Sequence, residues 1–162
     1  MKIKLLITGG TIDARYNYLK ATVDYDKTHL KDMLDQGRSR VDIDIEQLTL
    51  VDSDKITDEQ RQQILEKCNN AEADKIIITH GTDTMVETAR FLGENIQDKT
   101  IVLVGSMIPY AFKGSDALFN LGAGVTAVQI LDKGVFITMN GKVFNWDEVK
   151  KNFEIGEFQE KH

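Results

Sequence analysis

The chain has 162 residues, 41% hydrophobic and 28% charged, which is typical of one globular domain with a single core. Its formal net charge of −6 argues against nucleic acid and anionic membranes as partners. We expect a cytoplasmic protein, because the one cysteine, Cys68, excludes an internal disulfide and no stretch has the apolar length of a signal peptide or a membrane span.

Strands and helices are predicted to alternate along the chain. Short apolar runs predict strands over residues 3–8, 41–50, 76–78, 101–104, 135–139 and 143–144. Apolar residues at helical spacing predict a helix that ends at Gly37, one that begins at Thr57 or Asp58, one after residue 84, and one from Ser115 or Asp116 to Leu131. Residues 13–27 are predicted to form a long loop, and residues 146–153 a solvated segment.

This alternation predicts an α/β fold, with a doubly wound, mainly parallel sheet and helices on both faces. We expect residues 1–162 to form a single domain. Ligands of such sheets bind beyond the carboxyl ends of the strands. The functional site is therefore expected at that edge.

Three polar motifs follow predicted strands and are expected to meet there. In residues 8–11, Thr-Gly-Gly-Thr, the paired glycines allow a close backbone approach and Thr11 offers a hydroxyl. Residues 52–54 read Asp-Ser-Asp, and residues 80–84 read His-Gly-Thr-Asp-Thr at the start of a helix. The alternatives are a plain turn for the first motif and a helix cap for the last.

Other kinds of site find less support in the sequence. The glycine patterns of nucleotide-binding loops are absent, and the three histidines, His29, His80 and His162, are too far apart to form a recognisable metal motif. Lys150 and Lys151, viewed alone, are surface lysines. A lysine would matter here only if it reached the hydroxyl and carboxylate of residues 82 and 83.

The segments TGGTI and HGTDTM together resemble signatures of the bacterial-type L-asparaginase/glutaminase family. The resemblance implies that Thr11 is the nucleophile and that Thr82, Asp83 and Lys151 form a second catalytic group. It also implies that Ser53 and Asp54, with Thr82 and Asp83, hold the substrate. A loop tyrosine would complete the site, for which Tyr16 is preferred to Tyr25 because it lies closer to Thr11 in sequence.

The resemblance thus implies an amidohydrolase that converts L-asparagine to L-aspartate and ammonia through an acyl-enzyme, without metal or cofactor. The alternatives are an amidase for glutamine or another small amide, or a non-catalytic amino-acid-binding domain. The family usually has a second, C-terminal domain, which we do not expect here. Without that second domain, the surface that it would cover is exposed. Such an exposed surface predicts that the chain forms a homodimer or homotetramer. Position 54 also differs from the family pattern, because many relatives have a neutral residue where this chain has the carboxylate of Asp54.

Overall fold

The fold is built around one mainly parallel β-sheet, seen in a computed structural model that describes residues 1–161. The strands are β1 (Lys2–Gly9), β2 (Arg15–Asn17), β3 (Thr22–Asp24), β4 (Asp42–Val51), β5 (Lys75–Thr79), β6 (Thr100–Val104), β7 (Gly134–Met139), β8 (Lys142–Asn145), β9 (Val149–Asn152) and β10 (Glu157–Glu160). The helices are α1 (Leu30–Gln36), α2 (Asp58–Asn70), α3 (Met85–Asn95) and α4 (Ala117–Ile130). The central sheet has the order β4-β1-β5-β6-β7-β8, with β8 antiparallel to β7 and the other pairs parallel.

Helices cover both faces of the sheet, and each face has its own apolar core. Residues of α2 and α3, such as Ile64 and Leu92, share one core with Ile78 of β5. Residues of α1 and α4, such as Met33, share the other core with Ile77. Successive side chains of a strand point to opposite faces, so a strand buried on both sides is apolar throughout. The predicted doubly wound α/β class is confirmed.

The start of α2 shows how local sequence fixes an element. The Thr57 hydroxyl accepts a hydrogen bond from the Gln60 amide at 3.2 Å, and the Gln60 side chain accepts one from the Thr57 amide at 2.9 Å. This reciprocal pair is a capping box, which satisfies amides that the first helical turn leaves unpaired. The helix start predicted at Thr57 or Asp58 is confirmed.

The prediction of a long loop over residues 13–27 is wrong. A 3-10 turn at Thr11–Asp13 leads into an antiparallel hairpin of β2 and β3. Its turn is stabilised by the Asn17 side chain, which accepts hydrogen bonds from the amides of Leu19 and Lys20. The two strands have three residues each and are largely exposed, so they carry no apolar alternation that sequence analysis could detect.

The prediction that residues 146–153 form a solvated segment is also wrong. β9 pairs with β10 in a second antiparallel hairpin. Val149 is fully buried and Phe158 is 4% exposed, and both belong to the core beneath α2 and α3. The hairpin escaped prediction because each of its strands buries one apolar side chain among charged and polar neighbours.

Candidate active site

Three loops meet at the carboxyl edge of the sheet. They follow β1, β4 and β5, which are neighbours in the sheet, and they carry Thr11, Ser53 and Thr82. Because the carboxyl ends of adjacent parallel strands lie side by side, their loops enclose a common space. The polar motifs therefore converge, as their positions after strands predict.

Two glycines allow these loops to touch. Gly10 has φ +83°, and a Cβ there would lie 2.3 Å from the amide nitrogen of Gly81. A Cβ at Gly81 would in turn lie 2.5 Å from Cβ of Ser53. Real Cβ atoms do not come so close to other atoms, so both positions require glycine. The contact from Gly10 through Gly81 to Ser53 fixes the loop of Thr11 against the other two.

Lys151 reaches this site from β9. Its Nζ donates to Oγ1 of Thr82 at 2.8 Å and to Oδ1 of Asp83 at 2.5 Å. The Lys151 side chain is 8% exposed, whereas that of Asp83 is 57% exposed. Lys151 is thus not the surface lysine that its sequence context indicates, and the structure brings together the three residues expected to form the second catalytic group.

His80 has a structural position directly before these residues. It is fully buried; its Nδ1 donates to the Gly81 carbonyl at 2.7 Å, and its Nε2 accepts from the Thr88 hydroxyl at 2.8 Å. Nε of Arg61 donates to that same hydroxyl at 3.1 Å. Burial lowers the pKa of His80 to about 4, so the ring is neutral near pH 7 and holds the Gly81 turn in place.

Ser53 offers a hydroxyl that no described residue engages. The residue is 1% exposed, and its Oγ has no hydrogen-bond partner within residues 1–161. Its backbone is held firmly, since its amide donates to Oδ1 of Asp52 at 2.7 Å and its carbonyl accepts from the Thr84 hydroxyl at 2.8 Å. This hydroxyl therefore has the capacity to bond a polar group at the site.

The two candidate tyrosines differ in position. The Tyr25 hydroxyl donates to Oδ2 of Asp52 at 3.0 Å. Burial, the bond to Asp52 and the negative charges of Asp52, Asp54 and Asp83 raise its pKa to about 12. Tyr16 is 56% exposed on β2. The structure thus places Tyr25 beside the acidic residues of the site, whereas Tyr16 is largely exposed.

Asp54 lies at the rim of the site. Its side chain is 56% exposed, and Oδ2 accepts a hydrogen bond from Nζ of Lys55 at 2.8 Å. It is close enough to Tyr25 to contribute to that residue's raised pKa. Asp54 and Asp83 are thus two exposed carboxylates on this side of the site, and each is paired with a lysine.

Thr11 is the first residue of the 3-10 turn that follows Gly10. It is half-buried, and its carbonyl accepts from the Ala14 amide at 3.0 Å. The turn is anchored by Asp13, whose Oδ1 accepts from the Thr28 hydroxyl at 3.0 Å and from the His29 amide at 2.8 Å. Burial raises the pKa of this Asp13 carboxyl. Sequence analysis missed Asp13, although a carboxylate two residues after a reactive threonine was the available signal.

Within residues 1–161, no group of three or more His, Cys, Asp and Glu side chains is arranged to hold a metal ion. Over the same residues, no helix combines the length and apolar character needed to cross a bilayer.

Known proteins resemble this chain in sequence and in fold. Residues 2–155 match the family described as "Asparaginase, N-terminal". The chain belongs to the asparaginase family. It is 34% identical over 161 residues to L-asparaginase 2 of Escherichia coli, covering 92% of this chain and 46% of that protein. It is 33% identical over 170 residues to the glutaminase-asparaginase of Acinetobacter glutaminasificans, covering 94% of this chain and 50% of that protein.

A solved structure agrees with this assignment. The thermostable L-asparaginase from Thermococcus kodakarensis superposes with a TM-score of 0.88 at 30% identity, covering 99% of this chain and 51% of that one. The chain therefore spans about half the length of the relatives that it matches. The fold and the family follow from these matches.

Proposed function

We propose that this member of the asparaginase family is an amidohydrolase that converts L-asparagine to L-aspartate and ammonia, with Thr11 as the nucleophile. The observation that carries the proposal is the contact of Lys151 with Thr82 and Asp83. A buried lysine bonded to a threonine hydroxyl suits proton transfer and electrostatic stabilisation. The Gly10–Gly81 contact holds this group against the loop of Thr11.

The proposed reaction has two steps. In the first, Oγ1 of Thr11 bonds to the side-chain amide carbon of asparagine, the C–N bond breaks, and the nitrogen leaves as ammonia with the proton that the hydroxyl gave up. In the second, water attacks the same carbon, the ester bond to Thr11 breaks, and Thr11 regains a proton as aspartate leaves. Lys151 and Asp83 polarise Thr82, which also lines the site where negative charge develops on the substrate oxygen.

The amino-acid head of the substrate is proposed to bind between the loops after β4 and β5. The Ser53 hydroxyl, buried and without a described partner, supports a hydrogen bond to the α-carboxylate. The α-ammonium is proposed to lie between Asp54 and Asp83. The side chains of both are more than half exposed, so a ligand can reach them without a change in the core.

We assign the loop tyrosine to Tyr25 in place of Tyr16, the residue preferred on sequence distance. The bond of Tyr25 to Asp52 and its proximity to Asp54 and Asp83 support this assignment. With a pKa of about 12, the Tyr25 hydroxyl stays protonated near pH 7. It therefore acts as a hydrogen-bond donor and proton relay, not as a preformed phenolate base.

Two other functions differ from this one in measurable ways. An amidase for glutamine would use the same groups on a longer side chain, and one matched relative is a glutaminase-asparaginase. A non-catalytic binding domain would have no use for the buried Lys151–Thr82 bond. Ammonia release measured on asparagine, glutamine and a few small amides distinguishes them, because a binding domain releases none. Release from asparagine above that from glutamine supports the proposal.

We also propose that the chain forms a homodimer or homotetramer through α4 and that it acts in the cytoplasm. No residue of α4 is charged, yet Phe119 is 63% and Ile130 78% exposed on it. A helix that is apolar on both faces is normally covered on both, and an uncharged face can meet its own copy without repulsion. Light scattering that finds only monomers would contradict the proposed oligomer.

The proposed location in the cytoplasm rests on Cys68. Its thiol is buried and free, which suits the reducing conditions of that compartment.

A further inference from the structure

The Lys151 ammonium has a third neighbour that the proposed mechanism does not use. The ring of Phe153 lies with its centroid 4.9 Å from Nζ of Lys151. An ammonium has three N–H groups. That of Lys151 donates two hydrogen bonds here, to Oγ1 of Thr82 and to Oδ1 of Asp83. The aromatic face, which carries a partial negative charge, is therefore a further partner for the same cation.

Phe153 is the first residue of the turn that follows β9, two positions after Lys151. The turn brings the ring back to the Lys151 ammonium, as the 4.9 Å between Nζ and the ring centroid shows. Phe153 itself is 68% exposed, while the Lys151 side chain beneath it is only 8% exposed. A large aromatic side chain is thus exposed to water beside a nearly buried ammonium.

We propose that Phe153 is a positioning residue that holds the Lys151 ammonium against the Thr82 hydroxyl through a cation–π contact. The proposal rests on the function proposed above, in which Lys151 acts through Thr82. Without the ring, water can hydrate the ammonium, and the lysine can turn toward the exposed carboxylate of Asp83 and away from Thr82. Phe153 then affects the chemical step without touching the substrate.

Kinetics of substituted proteins test this role. Phe153→Leu keeps an apolar side chain but removes the π face, and we expect kcat to fall about three- to tenfold with KM changed less than twofold. Phe153→Tyr and Phe153→Trp should restore most of kcat, since both rings bind cations. Ile155→Ala is the matched control, because Ile155 is an exposed apolar residue of the same hairpin turn, 57% exposed, and it should leave both constants unchanged.

Fluorinated phenylalanines separate a cation–π contact from simple packing. Successive fluorine atoms weaken the negative face with little change in ring shape, so log kcat should fall stepwise with fluorine number at position 153. A packing role predicts equal rates across the series. Equal rates, or a Phe153→Leu protein with wild-type kcat, would overturn the proposal.

A measurement without turnover distinguishes this proposal from the function on which it rests. In protein labelled with 13C-lysine, the ring current of Phe153 should move the Hε resonances of Lys151 upfield, and Phe153→Leu should abolish that shift. No upfield shift in the wild type would overturn the contact. A clear shift in a protein that releases no ammonia from any amide would instead refute the proposed function.

Discussion

The bond between Lys151 and Thr82 is the single-residue feature on which the proposed chemistry most depends. Lys151→Met keeps the stem of the side chain and removes the ammonium, and Thr82→Val removes the hydroxyl. Each should lower kcat at least about a hundredfold, the lower range for a positioned proton-transfer group. Steady-state ammonia release measures the effect.

Lys150 provides the control for that experiment. It precedes Lys151 on β9 but is exposed to solvent, so Lys150→Met makes the same chemical change outside the site. It should retain wild-type kcat. If Lys150→Met and Lys151→Met lose activity equally, the ammonium of Lys151 has no special role.

Asp54 gives a prediction about substrate binding. A charge-assisted contact with the α-ammonium contributes roughly 1.5–3 kcal/mol, equally in ground and transition states. Asp54→Asn should therefore raise KM for asparagine by about tenfold or more and spare kcat. A substrate analogue that lacks the α-amino group should show a much smaller change.

The ion pair with Lys55 supplies the comparison for Asp54. Lys55→Gln removes the partner of Asp54 and leaves the carboxylate in place. It should not raise KM for asparagine. Equal effects of Asp54→Asn on asparagine and on the analogue would show that Asp54 serves only the turn.

At the scale of elements, the contact between the loops after β1 and β5 depends on Gly10. Gly10→Ala would set a Cβ against the backbone of Gly81 and would also strain a residue at φ +83°. Gly114→Ala is the matched control, since Gly114 has φ +79° but nothing within 4 Å of the added Cβ. Both variants place alanine at a positive φ, and their difference reports what Gly10 adds, which is the clash with Gly81 and a ψ of −179°.

Urea unfolding and ammonia release measure this difference. Gly10→Ala should lose about 1–3 kcal/mol more of the free energy of unfolding than Gly114→Ala, the range for overpacking. It should also lose most of its activity because Thr11 moves away from Thr82. Equal stability and equal activity in the two variants would show that the close contact between Gly10 and Gly81 is not required.

The same elements show what the sequence could and could not predict. The parallel strands were predictable because burial on both faces makes them continuously apolar, as in residues 76–78. The two hairpins were not, because β2 and β3 are exposed and β9 and β10 bury one apolar side chain each.

The candidate site was predictable to a similar extent. Its three motifs follow strands, so their convergence could be inferred from the sequence. The Lys151–Thr82 bond joins residues 69 positions apart and depends on the unpredicted hairpin. The position of Tyr25 also depends on a hairpin, which explains why sequence distance favoured Tyr16. The contact of Phe153 with Lys151 depends on β9 and gave no signal in the sequence.

At the scale of the whole molecule, His80 links folding stability to pH. Its pKa of about 4 in the folded chain lies below the value of about 6.5 for an exposed histidine. Between these two pH values the unfolded chain binds a proton that the folded chain does not, so stability rises with pH across this window. The stabilisation is complete above about pH 6.5 and is lost as the pH falls to about 4.

Urea titrations between pH 4 and pH 7 test this linkage. The wild-type free energy of unfolding should fall by up to about 3 kcal/mol more than that of His80→Gln as the pH is lowered, an upper bound from the pKa difference. His29→Gln serves as the control for removing a histidine elsewhere. Parallel pH profiles for the wild type and His80→Gln would contradict a buried, neutral His80.

The central claim is that this chain hydrolyses an amide through the hydroxyl of Thr11, and ammonia release by Thr11→Ala tests it most directly. Thr22→Ala, which removes an exposed threonine of β3, controls for the substitution itself, and circular dichroism checks that both variants fold. The account predicts that the wild type and Thr22→Ala release ammonia from asparagine at the same rate, while Thr11→Ala releases none above background. Wild-type release by a folded Thr11→Ala protein would contradict the account.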